Sequence, residues 1–350
     1  MAKELNFAVV GLGMGGHHCK AIRNAKGANL VAVCDIDPER LDKRVKEFDC
    51  KGYKSYARML KDPAIDVVNI VTESGKHAKM GIQAAQAGKH LIVEKPVDVT
   101  PARIKTLEKA VKKAGVKCGC IFQSRMDNCN IMIKKAIDRG KMGQVIGVHA
   151  HLPWYRANSY YEGPHGPWRG TWRLDGGGSL MNQGIHTLDL AIFLAGPVQS
   201  AAGFYGVFTH KIQAEDHTVA VLKFKNGAIG TLFATTCAVP EGSQRVHMYG
   251  TKGSFSRLGS ALEFYEMGSA KERKRMMNLF SSTPKADASR DPMAVSADGH
   301  TLIVEDLVKA IRNDREPIIP ISTAKHSVEV ACAIYQSQRS GKIVNISRMR

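Results

Sequence analysis

Residues 6–16 read Asn-Phe-Ala-Val-Val-Gly-Leu-Gly-Met-Gly-Gly, a short apolar strand running straight into a glycine loop. The loop spacing is Gly11-x-Gly13-x-x-Gly16, with Met14 inside it. A second apolar run, Leu30 to Cys34, ends at Asp35. A strand, a glycine loop, a helix, a second strand and a closing acid form, in that order, a dinucleotide-binding fingerprint. The glycines permit a tight turn and let a pyrophosphate approach backbone N–H groups at a positive helix N-terminus. Asp35 can accept hydrogen bonds from the adenosine ribose hydroxyls. A 2′-phosphate would meet its carboxylate, so NAD is favoured over NADP, with Arg40, Lys43 and Arg44 close enough in sequence to moderate the preference.

Outward from this loop, strand and helix signals alternate through residue 125. Asp37-Pro38 caps a helix that places Leu41, Val45 and Phe48 on one face. Val67 to Val71 and Leu91 to Val93 read as buried strands, separated by a helix from about His77 that Gly88 closes. Thr100-Pro101 opens another helix, and Lys117 to Phe122 completes the series. Repeated βα units argue for an α/β Rossmann domain, a doubly wound parallel sheet, over residues 1–125. The pattern then changes. A helix over 126–139 and a long aromatic loop over 152–175 precede a helix from about Asn182 to Leu194. Strand-like runs follow at 198–208, 216–225, 228–237, 244–250 and 253–266, with Asn226-Gly227 as a hairpin turn. Residues 126–350 therefore read as an α+β domain with an antiparallel sheet. Residues 269–298 are polar and weakly periodic and read as a mobile loop or insertion, and Ile303, Leu307 and Ile311 mark a late helix.

Composition bounds the function. Apolar residues make up 44% of 350, enough for sizeable cores, and no uncharged apolar stretch approaches the ~20 residues of a membrane span. The opening Met-Ala-Lys-Glu-Leu has no long apolar run, so no secretory signal is expected. Eight cysteines without framework spacing suit reduced thiols in the cytoplasm. Cys118-Gly119-Cys120 lies in a strand-like run whose pleat is expected to separate the two thiols, so no metal is expected there. The net charge of +18 is spread, and no zinc-finger or RNA-binding aromatic signature accompanies it. Anion steering is expected of it, without a nucleic-acid partner.

Two further signals carry chemistry. Glu94-Lys95-Pro96 ends the strand at 91–93, the edge where ligands sit in open α/β sheets. The proline holds Lys95 extended, where it can exchange a proton with a substrate hydroxyl; a plain surface lysine is the alternative. In Gly176-Gly177-Gly178-Ser179-Leu180-Met181-Asn182-Gln183-Gly184-Ile185-His186, Asn182 and His186 are four apart and share one helical face. His186 suits acid–base work or orientation of a hydroxyl near neutral pH; a hydrogen-bonded core histidine is the alternative. Trp154, Tyr155, Arg156, Tyr160 and Tyr161 bring aromatic faces and an anion-binding group to the loop at 152–175, with plain loop packing as the alternative.

These three signals, in this order and spacing, resemble the Gfo/Idh/MocA oxidoreductases over essentially the whole chain. The resemblance implies a Rossmann domain joined to an open antiparallel sheet used for oligomerisation, giving a homodimer or homotetramer. It implies that Glu94 and Lys95 match the family's Glu-Lys-Pro motif, with Lys95 catalytic. It also implies that 182–186 match the Asp-x-Gly-x-His motif, with His186 conforming and Asn182 departing from the usual aspartate. Thr72 and His77 are implied beside the dinucleotide, and Gln123, Trp168 and Arg169 near its nicotinamide half. The stretch from Trp168 to Gln183 looks like the branch acting on glycosides and nucleotide sugars. The expectation is an NAD-dependent dehydrogenase acting on a secondary hydroxyl of a sugar, polyol, glycoside or nucleotide sugar, with Lys95, Arg156, Tyr160, Asn182 and His186 facing substrate. Two rivals stand beside it. One is redox-assisted glycoside cleavage with recycled NAD. The other is a non-catalytic NAD- or sugar-sensing protein, against which the retention of Lys95 and His186 counts.

Overall fold

The opening apolar run forms β1 (Leu5–Val10), with its last four residues buried. After it come α1 (Gly15–Asn24), β2 (Ala28–Cys34), α2 (Pro38–Phe48), β3 (Lys51–Tyr53), α3 (Tyr56–Leu60) and β4 (Val67–Ile70). Next are α4 (His77–Gln86), β5 (His90–Val93), α5 (Pro101–Ala114) and β6 (Cys118–Cys120). The structure is a computed structural model, and it describes residues 3–162, 166–281 and 298–348. The six strands lie in the order β3-β2-β1-β4-β5-β6, and every pair is parallel. This is the doubly wound sheet expected, with its topological switch point between β1 and β4.

Local chemistry sets the helix ends. Asp37 accepts the backbone N–H groups of Glu39 and Arg40, with Pro38 in the first turn of α2. Thr100 and Pro101 do the same for α5, and Gly115 ends it in left-handed geometry. The thiols of β6 differ from expectation. Residues two apart point to the same side of a strand, not to opposite sides. Burial and the neighbouring Cys120 together hold the Cys118 thiol far above the ordinary range, with Cys120 the larger influence.

The second unit begins with α6 (Asn128–Asp138), β7 (Val145–Pro153) and α7 (Ser159–Glu162). A π-helical turn at Ser179–Gly184 leads into α8 (Ile185–Ala195). Next come β8 (Val198–Gly206), β9 (His217–Phe224), β10 (Ile229–Thr235), β11 (Arg245–Gly250), β12 (Ser254–Leu258), β13 (Ala261–Glu266) and α9 (Ala270–Phe280). The chain closes with α10 (Asp298–Arg312), α11 (Ile321–Ser340) and β14 (Val344–Asn345). Eight strands pair in the order β13-β12-β11-β7-β10-β9-β8-β14. The sheet is mixed: β7 and β10 run parallel, whereas the remaining neighbours are antiparallel. Gly227, with φ +92°, makes the hairpin between β9 and β10.

Three differences from the sequence reading have physical causes. The central strand β7 reads Val-Ile-Gly-Val-His-Ala-His-Leu-Pro, and its alternation uses histidines, so it lacks a plain apolar run. The run at 253–266 is two strands, bent at Gly259 with φ +56°. Within 269–298, residues 270–280 form a helix and not a loop, because Ser269 and Glu272 close a capping box at its start. Residues 282–297 of that stretch lie outside the described residues.

Two compact units account for the chain: Met1–Gln123 with Ser296–Lys325, and Ser124–Val295 with His326–Arg350. Residues 296–325 thus return to the first unit after the second has begun. Helix α10 packs against α1 and β6 in the first unit, and Thr301 Oγ1 donates to the Ala21 carbonyl at 3.4 Å.

Candidate active site

The first unit gathers its expected residues at the carboxyl ends of β1, β2, β4 and β5. Gly11 has φ +89°, and a Cβ there would sit 2.5 Å from the Val71 carbonyl oxygen, so only glycine lets β1 and β4 approach so closely. A Cβ at Gly13 would meet nothing within 4 Å, which leaves open space over the loop. Met14 occupies the N-cap of α1 and Gly16 lies buried in its first turn. Asp35 is buried at the end of β2. Its Oδ2 accepts the Leu12 backbone N–H at 2.7 Å, and its Oδ1 accepts the Asp37 N–H at 2.9 Å and Arg40 Nη2 at 3.3 Å. A glycine cradle with open space over it and a carboxylate tied to its rim fit a dinucleotide carrying free ribose hydroxyls.

Thr72 follows β4, and His77 opens α4. The His77 ring bridges two backbone carbonyls, with Nε2 2.9 Å from the Thr72 oxygen and Nδ1 2.7 Å from the Pro96 oxygen. It thereby links the loop after β4 to the turn that carries Lys95. Glu94 anchors that turn from behind: its Oε2 accepts the Lys95 backbone N–H at 2.8 Å. Its Oε1 lies 3.0 Å from His18 Nε2 and 3.6 Å from His300 Nε2. Burial opposes ionisation of Glu94, but the two imidazoles outweigh it and hold the carboxyl well below its usual range. Burial lowers the His18 pKa against the pull of Glu94. The Asn69 amide donates to His18 Nδ1 at 3.3 Å, which leaves Nε2 to donate to Glu94. Gln123 sits in the turn after β6, and a Cβ on Gly299 would lie 2.8 Å from the Gln123 Cβ. The start of α10 thus supplies Gly299 and His300 to this site, which sequence reading missed because they lie far along the chain.

The second unit assembles a different set. Arg156 is 5% exposed, and its guanidinium carbon stands 4.8 Å from the Trp154 ring centroid. Burial lowers its pKa. Arg169 stacks 4.0 Å over Tyr160 and donates to the Tyr160 carbonyl at 2.9 Å, with Trp168 next to it in sequence at 5.7 Å from the same guanidinium. Burial raises the Tyr160 phenol. Asn182 lies in the π-helical turn, a form found often at functional sites, and His186 is half-buried in the first turn of α8. The regular helix expected from Asn182 onward therefore begins three residues later, so the simple four-residue argument for a shared face does not carry over unchanged.

Two carboxylates missed in the sequence hold this region. Glu215 is fully buried and accepts the N–H groups of Gly178, Ser179 and Leu180 as well as the Tyr335 hydroxyl at 2.6 Å. Asp175 receives the Asn182 side-chain amide and the Gly170 N–H. A charged residue directly before three glycines was the available signal for Asp175; nothing marks Glu215. Among the described residues, His18–Glu94–His300 and His210–Asp216–Cys237 each bring three metal-capable atoms within 4.8 Å. The hydrogen bonds above already engage the first. In the second, Asp216 accepts backbone N–H groups of Phe208, Thr209 and His210.

Comparison with known proteins divides the chain once, between residues 122 and 134. Residues 5–122 match the family model described as oxidoreductase family, NAD-binding Rossmann fold, and residues 134–346 match oxidoreductase family, C-terminal alpha/beta domain. The chain belongs to the Gfo/Idh/MocA oxidoreductase family. It is 26% identical to scyllo-inositol 2-dehydrogenase (NAD(+)) of Bacillus subtilis, over 100% of this chain and 98% of that protein. It is 28% identical to myo-inositol 2-dehydrogenase of Thermotoga maritima, over 71% and 74%. Its fold matches the WlbA dehydrogenase of Bordetella pertussis, solved with NADH and UDP-GlcNAcA, with a TM-score of 0.89, 29% identity, and 99% and 98% coverage.

Proposed function

We propose that this protein is an NAD-dependent dehydrogenase that oxidises a secondary hydroxyl of a sugar, polyol or nucleotide sugar. The observation that carries the reading is the Glu94–Lys95 turn, braced by His18 and His77 at the switch-point edge of a dinucleotide-type sheet. Its relatives act on inositols, and the WlbA relative was solved with a nucleotide sugar, which supports the substrate class. When bound, NAD supplies the hydride acceptor at nicotinamide C4. Gly11, Gly13, Met14 and Gly16 would hold its pyrophosphate and Asp35 its adenosine ribose, with Thr72, His77, Glu94, Gln123, Trp168 and Arg169 as further contacts.

Lys95 takes or polarises the hydroxyl proton. Asn182 and His186 hold the sugar in register, and Arg156 and Tyr160 offer a cation and a phenol to its polar substituents, with proximity and acid–base help as the sources of rate. The first test is incubation of purified protein with NAD⁺ and a panel of inositols, anhydrosugars and nucleotide sugars, followed by reduced-nicotinamide absorbance. Net NADH from at least one member is expected. Tight NAD binding with no turnover across the panel would overturn the reading.

The same proposal includes self-association through the large sheet. One face of that sheet exposes Phe204 at 78% and Ile229 at 65%, with Val219, Val221 and Tyr249 on the same strands or their neighbours. An apolar face of this kind suits a homodimer or homotetramer. None of the eight cysteines is in a disulfide, which suits a cytoplasmic setting. Among the described residues no helix is long and apolar enough to cross a membrane.

A further inference from the structure

The side-chain amides of Asn182 and Gln183 are adjacent, buried and each polar at both ends, so either could in principle turn over. Their neighbours decide the direction. Asp175 is fully buried, and its Oδ1 and Oδ2 lie 2.8 and 3.0 Å from Asn182 Nδ2. An ionised carboxylate only accepts, so it can face only the donor end of that amide. The carboxylate is itself fixed, because Gly170 N–H donates to Oδ2 at 2.8 Å. Asn182 Oδ1 is thereby turned away from Asp175 as an acceptor, and Gln183 Nε2 reaches it at 3.2 Å. At the far end Arg156 Nη2, which only donates, faces Gln183 Oε1 at 3.4 Å. Gln183 Nε2 is left to donate to the Tyr160 hydroxyl at 2.7 Å. A buried anion and a buried cation thus bracket two amides and set the polarity of both.

We propose that Asp175 is a positioning residue for the dehydrogenase reaction, fixing the Asn182 amide so that its oxygen is presented as a permanent acceptor for a substrate hydroxyl. The proposal rests on the sugar-dehydrogenase reading above. Asp175 acts through Asn182 and needs no contact with substrate. Its negative charge stands one side chain behind the acceptor, and the acceptor itself stays neutral and does not titrate. A misdirected amide would offer N–H groups where an oxygen is needed, a local error of the kind that costs turnover more than cofactor affinity.

The test uses the intact protein and the variants D175N, N182D and D175N/N182D. In D175N the neighbour can donate as well as accept, so the Asn182 amide loses its single orientation. In N182D two buried carboxylates face each other and cannot both ionise. The double variant restores an amide–carboxylate pair in reverse, with a carboxylate oxygen as acceptor at position 182. Thermal unfolding, which needs no substrate, should show both single variants destabilised and the double variant recovering most of the loss. Steady-state NADH formation is measured with scyllo-inositol, levoglucosan and UDP-GlcNAcA as probes across a pH series. D175N should lose about 10- to 100-fold in kcat with NAD affinity nearly unchanged. The double variant should regain turnover only above the pKa of its new carboxylate, an acid limb that a merely structural role for Asp175 would not create. Additive losses of stability in the double variant would overturn the proposal. So would native kcat in D175N, or recovered stability without recovered turnover. If the intact protein turns over none of the three probes, the sugar-dehydrogenase reading fails on its own, and the unfolding comparison still decides whether Asp175 orients Asn182.

Discussion

Leu12 and Asp35 lie in different βα units, yet the Leu12 backbone N–H donates to Asp35 Oδ2 at 2.7 Å. The carboxylate at the end of β2 is therefore part of the wall of the glycine loop as well as a group for a ribose. Arg40 reaches its other oxygen at 3.3 Å, so the site keeps a cation next to the anion.

Cofactor choice follows from this pair. NAD(H) should bind at least about tenfold better than NADP(H), a difference of about 1.4 kcal/mol. Replacing Asp35 with serine should narrow that ratio, because Arg40 stays in place to meet a 2′-phosphate. Calorimetric titration of both cofactors measures it, and equal dissociation constants for the unaltered protein would contradict the assignment.

Lys95 and His186 should separate binding from chemistry. Lys95→Ala should leave NAD affinity nearly intact and lower turnover by roughly 10²–10⁴, the usual scale of acid–base help. His186→Ala should spare the cofactor and weaken both turnover and apparent substrate affinity. Steady-state kinetics with cofactor titrations decides this; near-native turnover in Lys95→Ala would remove Lys95 from the mechanism.

Stability of the second unit should depend on Arg125 and Asp189. The guanidinium donates from Nε at 2.8 Å and Nη2 at 2.6 Å to the two carboxylate oxygens, with both groups buried and Ser327 Oγ adding a third bond at 2.7 Å. Asp189→Asn leaves a buried cation without its counter-charge and should cost about 3–5 kcal/mol. Denaturant unfolding followed by tryptophan fluorescence measures the loss; an unchanged midpoint would show that the pair contributes nothing net.

A pH dependence should come from His210. Its Nδ1 lies 3.0 Å from Asp216 Oδ2 and its Nε2 lies 2.7 Å from the Arg156 carbonyl oxygen, so both nitrogens must carry protons to make both bonds. Burial pulls the ring's pKa down, but the carboxylate and the carbonyl outweigh it and raise it above the ordinary value. The folded state therefore holds this proton more tightly than the unfolded chain. The contribution is complete below about pH 6.5 and is lost as pH rises through the folded pKa. His210→Gln should flatten the decline of melting temperature over that range, and parallel profiles for the two proteins would refute the role.

Much of this was legible in the chain. The 6–16 run determined β1 and its loop, because glycine spacing and the apolar run Phe7 to Val10 act locally. Asp37-Pro38 and Thr100-Pro101 determined helix starts for the same reason: a cap satisfies N–H groups only two or three residues away. The Glu94-Lys95-Pro96 and Asn182–His186 segments were likewise visible as polar groups interrupting apolar periodicity.

Only tertiary structure decided the rest. His300 is 206 positions beyond Glu94, and no local pattern pairs them; the return of α10 onto α1 does. Glu215 reads as one acid before a strand, and becomes the acceptor for three successive N–H groups only once β9 lies against the π-helical turn. Asp175 controls Asn182 through an orientation that sequence does not encode, because an amide's direction depends on which charge it faces. The sequence determined the elements and the reactive groups, since those follow from short-range sterics and hydrogen bonding. Which groups became partners depended on long-range packing, where burial makes each unpaired polar atom costly enough to select a single arrangement.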